Sequence, residues 1–151
     1  MAAPGTFTLT QAARQYIQDA TDLAGQTTYK AALLTSAWTP APASNAVWGD
    51  ISASEVASGN GYTTGGNAVT SPTVTQTAGV GKWTGTIPSW TASGAGITAR
   101  YCAIYALGTF NGHVNPILGY FLLDSAPADV VTAAGNTLQV NTPAAGFFTL
   151  T

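Results

Sequence analysis

Short segments of β-forming residues, separated by turn residues, recur from Thr28 to the end of the chain. Each segment is rich in Val, Ile, Thr or aromatic residues, which favour strands. Clusters of Gly, Pro, Asn and Asp separate them about every 8–12 residues, a spacing typical of an all-β sandwich or barrel. Pro72 and Pro88 indicate edges, bulges or strand ends rather than central strands. We therefore predict a two-sheet antiparallel sandwich over residues 28–151.

One helix is predicted before the sandwich, in TQAARQYIQDATDLAG. Thr10 can cap its first turn, and Gly25 can end it in a left-handed conformation. One helical face carries the apolar residues Ala13, Ile17, Ala20 and Ala24. Because this stripe is thin, we expect the helix to lie on the sandwich or on a neighbouring subunit, with Tyr16 and Ile17 as candidate contact residues. Residues 1–9, which precede this helix, are predicted to be irregular. Residues 1–27 together are predicted to form an N-terminal arm and helix.

The chain carries few charges for its length. Only 7% of its residues are charged, against about a quarter in a typical soluble domain. Disorder is not expected, because 46% of the residues are hydrophobic and include four Trp, six Tyr and five Phe. The four cations are scattered and form no basic stripe for nucleic acid, and no apolar run approaches the roughly 20 residues of a membrane span. A surface so poor in charge packs easily against neighbours, so we expect an assembly; a monomer with a bland polar surface is the alternative.

The stretch TARYCAIYALGTFNGHVNPILGYFLLD contains the only cysteine, the only histidine and an aspartate. Cys102, His113 and Asp124 follow one another at intervals of eleven residues. A thiol, an imidazole and a carboxylate are the groups of a nucleophilic catalytic site. A single cysteine cannot form an internal disulfide, which fits folding in a reducing compartment.

The same stretch reads as a β-hairpin with its tip at Asn111-Gly112, because both residue types tolerate positive φ. Its two strands are apolar at consecutive positions, which predicts burial on both faces. Phe110 then faces His113, and Cys102 lies eight residues further back along its strand. At about 3.3 Å per residue, the thiol is roughly 26 Å from the imidazole, whereas a nucleophile and its base need about 3 Å. We therefore predict a core cysteine, a loop-tip histidine and no catalytic residues.

No metal or cofactor site is predicted. A lone histidine provides no ligand set, and the scattered carboxylates form no calcium-binding loop. The turn GNGYTTGG lacks the lysine that a phosphate-binding loop needs. The predicted hairpin also brings Asp124 near Arg100, and we expect these two to form an ion pair across it.

Four tryptophans lie in or beside the predicted loops and strand ends: Trp38, Trp48, Trp83 and Trp90. Pro40 and Pro42 exclude a regular element from residues 37–50, so this segment is predicted to be a loop anchored by the first two tryptophans. Such rings pack in cores, anchor protein interfaces or stack on sugars. All three roles are open here. The candidate interface residues are the four tryptophans together with Tyr16 and Ile17 of the predicted helix.

Five phrases of the sequence carry a family resemblance: YKAALLTSAWTP, VWGDISASEVASGNGYTTGG, WTASGAGITARYCAIYA, ILGYFLLDS and NTLQVNTPAAGFF. In this order, from about Tyr29 to Leu150, they resemble a family of small virion proteins of tailed bacteriophages. NGYTTGG and ARYCAIYA are the most telling. The resemblance implies a β-sandwich of jelly-roll type, no catalytic residues and assembly on a particle.

The expected function is therefore structural. We expect a capsid decoration, or cement, protein that is made in the cytoplasm of the bacterial host and that binds and stabilises the outer surface of the head shell. The expected partners are the major capsid protein and further copies of the chain, as a trimer or dimer, and neither nucleic acid nor a membrane. Two alternatives stay open: a tail-fibre or baseplate module that recognises a host glycan, and a small hydrolase, which needs a convergent nucleophile and base.

Overall fold

The computed structural model describes residues 4–11, 13, 28–78, 80–110 and 112–150. These residues form an all-β structure, which confirms the predicted class. The strands are β1 (Thr8–Leu9), β2 (Tyr29–Leu34), β3 (Asn67–Ala68), β4 (Thr70–Thr77), β5 (Val80–Thr86), β6 (Trp90–Thr91), β7 (Ile97–Ala99), β8 (Tyr101–Ala106), β9 (Thr109–Phe110), β10 (His113–Val114), β11 (Ile117–Leu122), β12 (Val130–Thr132), β13 (Thr137–Leu138) and β14 (Phe148–Leu150). Two short 3-10 helices, Trp48–Asp50 and Ser52–Ser54, lie between β2 and β3.

The largest sheet is antiparallel and has the strand order β1-β11-β8-β2-β3. β8 lies at its centre, where Cys102 is opposite Leu33 of β2 and Phe121 of β11. β1 forms one edge of this sheet, although it falls in residues 1–9, which were predicted to be irregular. The burial of Phe7 next to this strand explains the difference, because it fixes the N-terminal segment to the core.

β14, β5 and β4 form a second antiparallel sheet in that order, and three further pairs are β10-β9, β12-β7 and β13-β6. Pro72 lies in β4 at the edge of this sheet, beside a register shift between Thr70 and Thr73. Pro88 follows the end of β5. Both prolines therefore occupy the kinds of position predicted for them.

Both faces of the five-stranded sheet are buried, as the consecutive apolar residues of β8 and β11 predict. Alternate residues of β8 belong to two clusters: Cys102 and Ile104 to a large core cluster, and Ala103 and Tyr105 to a small core cluster. The large core cluster includes the aromatic residues Phe7, Tyr29, Tyr62, Trp83, Trp90, Phe121, Phe147 and Phe148. The small core cluster consists of Ala32, Leu34, Trp38, Ile51, Ala103, Tyr105, Ile117 and Tyr120.

The segment between β2 and β3 covers the small core cluster. Trp38 packs edge-on against Tyr101 and Tyr120, with ring centroids 5.0 and 4.8 Å apart. Ile51, between the two 3-10 helices, is 1% exposed and packs in the same cluster. The segment that was predicted to be a loop anchored by tryptophans therefore covers one face of the five-stranded sheet.

The predicted N-terminal helix lies mostly outside the described residues, as do Tyr16 and Ile17. Within the described part, the Ala13 N–H donates to Thr10 Oγ1 at 3.0 Å, the contact expected of a helix N-cap. The Thr10 hydroxyl in turn donates to the Ile117 carbonyl at 3.0 Å, which fixes Thr10 against β11. The helix and the jelly-roll arrangement remain predictions. Among the described residues, no helix has the length and apolar character needed to span a membrane.

Candidate interaction surfaces

The structure separates Cys102 from His113. Cys102 lies inside β8, fully buried and opposite Phe121, whereas His113 begins β10 opposite Phe110. β8, which carries Cys102, belongs to the five-stranded sheet, whereas β10 pairs only with β9 in a separate two-stranded sheet. Burial raises the pKa of the Cys102 thiol far above its usual range, so the thiol is neutral at pH 7 and is a poor nucleophile.

The hairpin turns where it was predicted to turn. Phe110 and His113 face each other across the strands, which leaves two residues for the turn. Gly112 has a φ of +80°, the left-handed conformation that favours glycine. Asn111 lies outside the described residues.

Asn115 holds the base of this hairpin and was missed by the sequence analysis. Its side-chain oxygen accepts a hydrogen bond from the Gly108 N–H at 2.8 Å, and its own N–H donates to the Gly108 carbonyl at 2.6 Å. Asn115 has a φ of +51°, which asparagine tolerates better than most residues. The Asn-Pro dipeptide at 115–116 was the available signal for this turn.

Arg100 forms an ion pair with Asp129, and the predicted pair with Asp124 is wrong. Arg100 Nε donates to Asp129 Oδ1 at 2.8 Å. The pairing of β12 with β7 places Val130 opposite Ala99 and so brings Asp129 next to Arg100. Asp124 instead accepts a hydrogen bond from the nearby Ala126 N–H at 3.0 Å, a local contact typical of aspartate in bends.

Three of the four tryptophans pack in the core. Trp38, Trp83 and Trp90 are 7%, 1% and 3% exposed. Of the three roles left open for the tryptophans, these three rings therefore have the core role, because their own chain already covers them. Trp48 is half-buried and stacks on Tyr105, with ring centroids 4.5 Å apart and planes 16° apart.

A polar anchor, defined here as Glu55, Tyr62 and the groups they bind, lies under the glycine-rich turn. The Tyr62 hydroxyl donates to Glu55 Oε1 at 2.6 Å and accepts from the Leu33 N–H at 3.0 Å. The Gly65 N–H donates to the same carboxylate oxygen at 2.6 Å. Burial, with the Glu55 carboxylate beside it, raises the pKa of Tyr62 well above its usual range. The anchor is a structural support, since its acceptors and donors are mutually satisfied.

Two further side chains hold the backbone of the glycine-rich turn. Lys30 Nζ donates to the Gly66 carbonyl at 3.0 Å, and the Tyr105 hydroxyl donates to the Gly65 carbonyl at 2.9 Å. Gly66 has a φ of +66°, and a side chain there would overlap the Ala31 carbonyl. The sequence predicted a turn here, but not that it packs directly on β2.

An open groove of about 580 Å³ separates the two ends of the described chain. It is lined by Pro4, Gly5, Thr6, Phe7, Thr8, Leu9, Pro143, Ala144, Ala145, Gly146, Phe147, Phe148 and Thr149. None of these lining residues is charged. The groove is flanked by two edge strands, β1 of the five-stranded sheet and β14 of the three-stranded sheet. Local sequence gives no signal for this groove, because residues 4–9 form one wall and residues 143–149 form the other.

Three comparisons, with protein-family models, curated proteins and solved structures, give no match to this chain. Among the described residues, no three His, Cys, Asp or Glu side chains are grouped to hold a metal ion. The uncharged groove and the exposed sheet edges are therefore the features from which a function can be argued.

Proposed function

We propose that this protein is a structural component of a tailed-phage virion, a decoration protein that binds the outer surface of the head shell. The resemblance of five sequence phrases to small virion proteins supports this assignment. The low charge of the chain supports it as well, because such surfaces favour packing against neighbours over repulsion.

The uncharged groove between β1 and β14 is the observation that carries the proposal. We assign it to contact with the major capsid protein, because its lining offers backbone, hydroxyl and apolar groups but no charge. A contact of this kind depends little on ionic strength, since salt screens charges and not apolar burial. A protein that binds only the assembled shell also stabilises that shell by mass action.

The glycan-binding alternative has less support. It needs several exposed tryptophans in one shallow groove, and three of the four are buried within the chain. Only Trp48 offers part of a ring, and that ring already stacks on Tyr105. Quantitative gel analysis of purified virions separates the two functions: a copy number close to that of the major capsid protein supports the shell, and a handful of copies supports the tail.

Binding of purified protein to head shells assembled without it tests the proposed surface. The Ala145→Asp variant places a charge at an exposed turn in the groove, and Ala134→Asp places the same charge at an exposed turn elsewhere. We expect Ala145→Asp to lower affinity by about tenfold or more, because the new carboxylate loses its water on binding. Ala134→Asp should bind like the wild type, and 1 M NaCl should not release the wild-type protein. Equal binding by both variants, or release in salt, would contradict the proposal.

A further inference from the structure

The free edge of β4 has an unusual composition for an exposed strand. β4 ends the three-stranded sheet, and its sequence TSPTVTQT contains no charged residue over eight positions. Residues 73–76 are all exposed, and Val74 is 51% exposed. Long exposed edges are normally protected by lysines, by inward-pointing charges or by a covering element. Within β4, Pro72 and the register shift between Thr70 and Thr73 protect the beginning of the strand, and residues 73–76 carry neither protection.

The register of the β4–β5 hairpin shows which backbone groups point away from β5. Thr77 and Val80 face each other across a two-residue turn, so they form a hydrogen-bonded pair. The alternation of antiparallel ladders then leaves Val74 and Gln76 with N–H and C=O groups directed outward. The contacts of β5 with β14 support this assignment. The Trp83 carbonyl, opposite Val74, accepts a hydrogen bond from the Phe147 N–H and therefore points away from β4.

This edge is complementary to itself. In a two-fold antiparallel pair centred on Thr75, Val74 of one copy lies opposite Gln76 of the other. Each of the two Val74–Gln76 pairs then exchanges both of its outward N–H and C=O groups. The two Thr75 side chains lie opposite each other in the intervening pair, an arrangement that stabilises antiparallel strands. No like charges meet across the axis, because the strand has none.

We propose that two copies of this chain pair through their β4 edges, joining their three-stranded sheets into one six-stranded sheet. The partner is a second copy because the outward groups of Val74 and Gln76 and the absence of charge along β4 both fit the same two-fold axis. The inference concerns the free protein and stands whether or not the chain binds a head shell. Addition of a strand to an exposed edge is a common mode of recognition, with main-chain hydrogen bonds providing much of the affinity.

Sedimentation equilibrium of the full chain over a concentration series tests this pairing. The wild type should show a reversible monomer–dimer equilibrium. Thr75→Lys and Thr75→Glu each place like charges opposite each other, and each should weaken the dimer at least tenfold. An equimolar mixture of the two should restore it as a heterodimer. The matched control Thr86→Lys, at an exposed position of β5 away from the edge, should dimerise like the wild type.

Two further variants keep the test decisive if a charge perturbs folding. Gln76→Pro removes one outward N–H without removing a bond to β5, and it should also weaken the dimer. Thr75→Cys should form an intermolecular disulfide on mild oxidation, because Cα atoms in such a pair lie about 4.5 Å apart; Thr86→Cys should not. A monomeric wild type at millimolar concentration, or an oligomer that is unchanged by Thr75→Lys and Gln76→Pro, would overturn the proposal.

Discussion

The Tyr62 hydroxyl joins the glycine-rich turn to the centre of the fold, because it donates to Glu55 and accepts from the backbone of Leu33 in β2. Tyr62 is 2% and Leu33 0% exposed, so the Leu33 N–H cannot turn to water when the hydroxyl is removed. We expect Tyr62→Phe to lower the free energy of unfolding by about 1–3 kcal/mol, the usual cost of leaving buried polar groups unpaired. Urea denaturation measures this change. Tyr101→Phe, at a half-buried ring that packs against the small core cluster, is the control and should cost less; equal losses would contradict the role of the anchor.

The fully buried Cys102 should not react in the native protein. Burial removes access and also raises the pKa of the thiol, so little thiolate forms at pH 8. Labelling with a disulfide reagent should therefore proceed only as the protein unfolds, and its rate should follow the urea dependence of unfolding. His113→Ala should leave the labelling rate of the native protein unchanged, because the two residues lie far apart along the hairpin. Rapid labelling without urea that depends on His113 would revive the catalytic interpretation.

Gly66 is required by a close approach and not only by its backbone conformation. A Cβ there would overlap the Ala31 carbonyl of β2, so Gly66→Ala must displace either the turn or the strand. Gly135 has a similar φ of +83°, but no atom lies within 4 Å of the position that a Cβ would take there. Gly135→Ala therefore adds only conformational strain. We expect about 1 kcal/mol of destabilisation for Gly135→Ala and clearly more for Gly66→Ala. Thermal unfolding of the two variants measures the difference, and equal losses would show that contact with β2 is unimportant.

Local sequence pattern was sufficient for the β-rich character of residues 28–150, the hairpin turn and the burial of both faces of β8 and β11, but not for β1. These properties depend on residue type and alternation, which are visible along the chain. The partner of Arg100 and the groove beside β14 depend instead on which distant strands pair. The predicted hairpin brought only Asp124 near Arg100, and it is the pairing of β12 with β7 that places Asp129 there instead. The role of the tryptophans stayed open for a related reason, because Trp38, Trp83 and Trp90 pack against rings that are distant in sequence.

Alkaline pH should destabilise the protein through its buried phenols and thiol. Burial raises the pKa of Tyr105 to about 12, and it raises the pKa values of Tyr62 and Cys102 well above their usual ranges. In the unfolded chain, these groups lose protons near pH 8.5 for cysteine and about 10 for tyrosine. The folded state then binds more protons than the unfolded state, so stability is complete below about pH 8 and falls as pH rises.

The expected slope approaches about 1.4 kcal/mol per pH unit for each such group above its unfolded pKa. Urea denaturation between pH 7 and 11 measures it, and absorbance of ionised tyrosine should rise only with unfolding for the buried rings. Cys102→Ala removes the first of these groups, so its stability should decline less steeply between pH 9 and 10 than that of the wild type. A free energy of unfolding that stays constant to pH 11 would show that these side chains are solvated in the native protein.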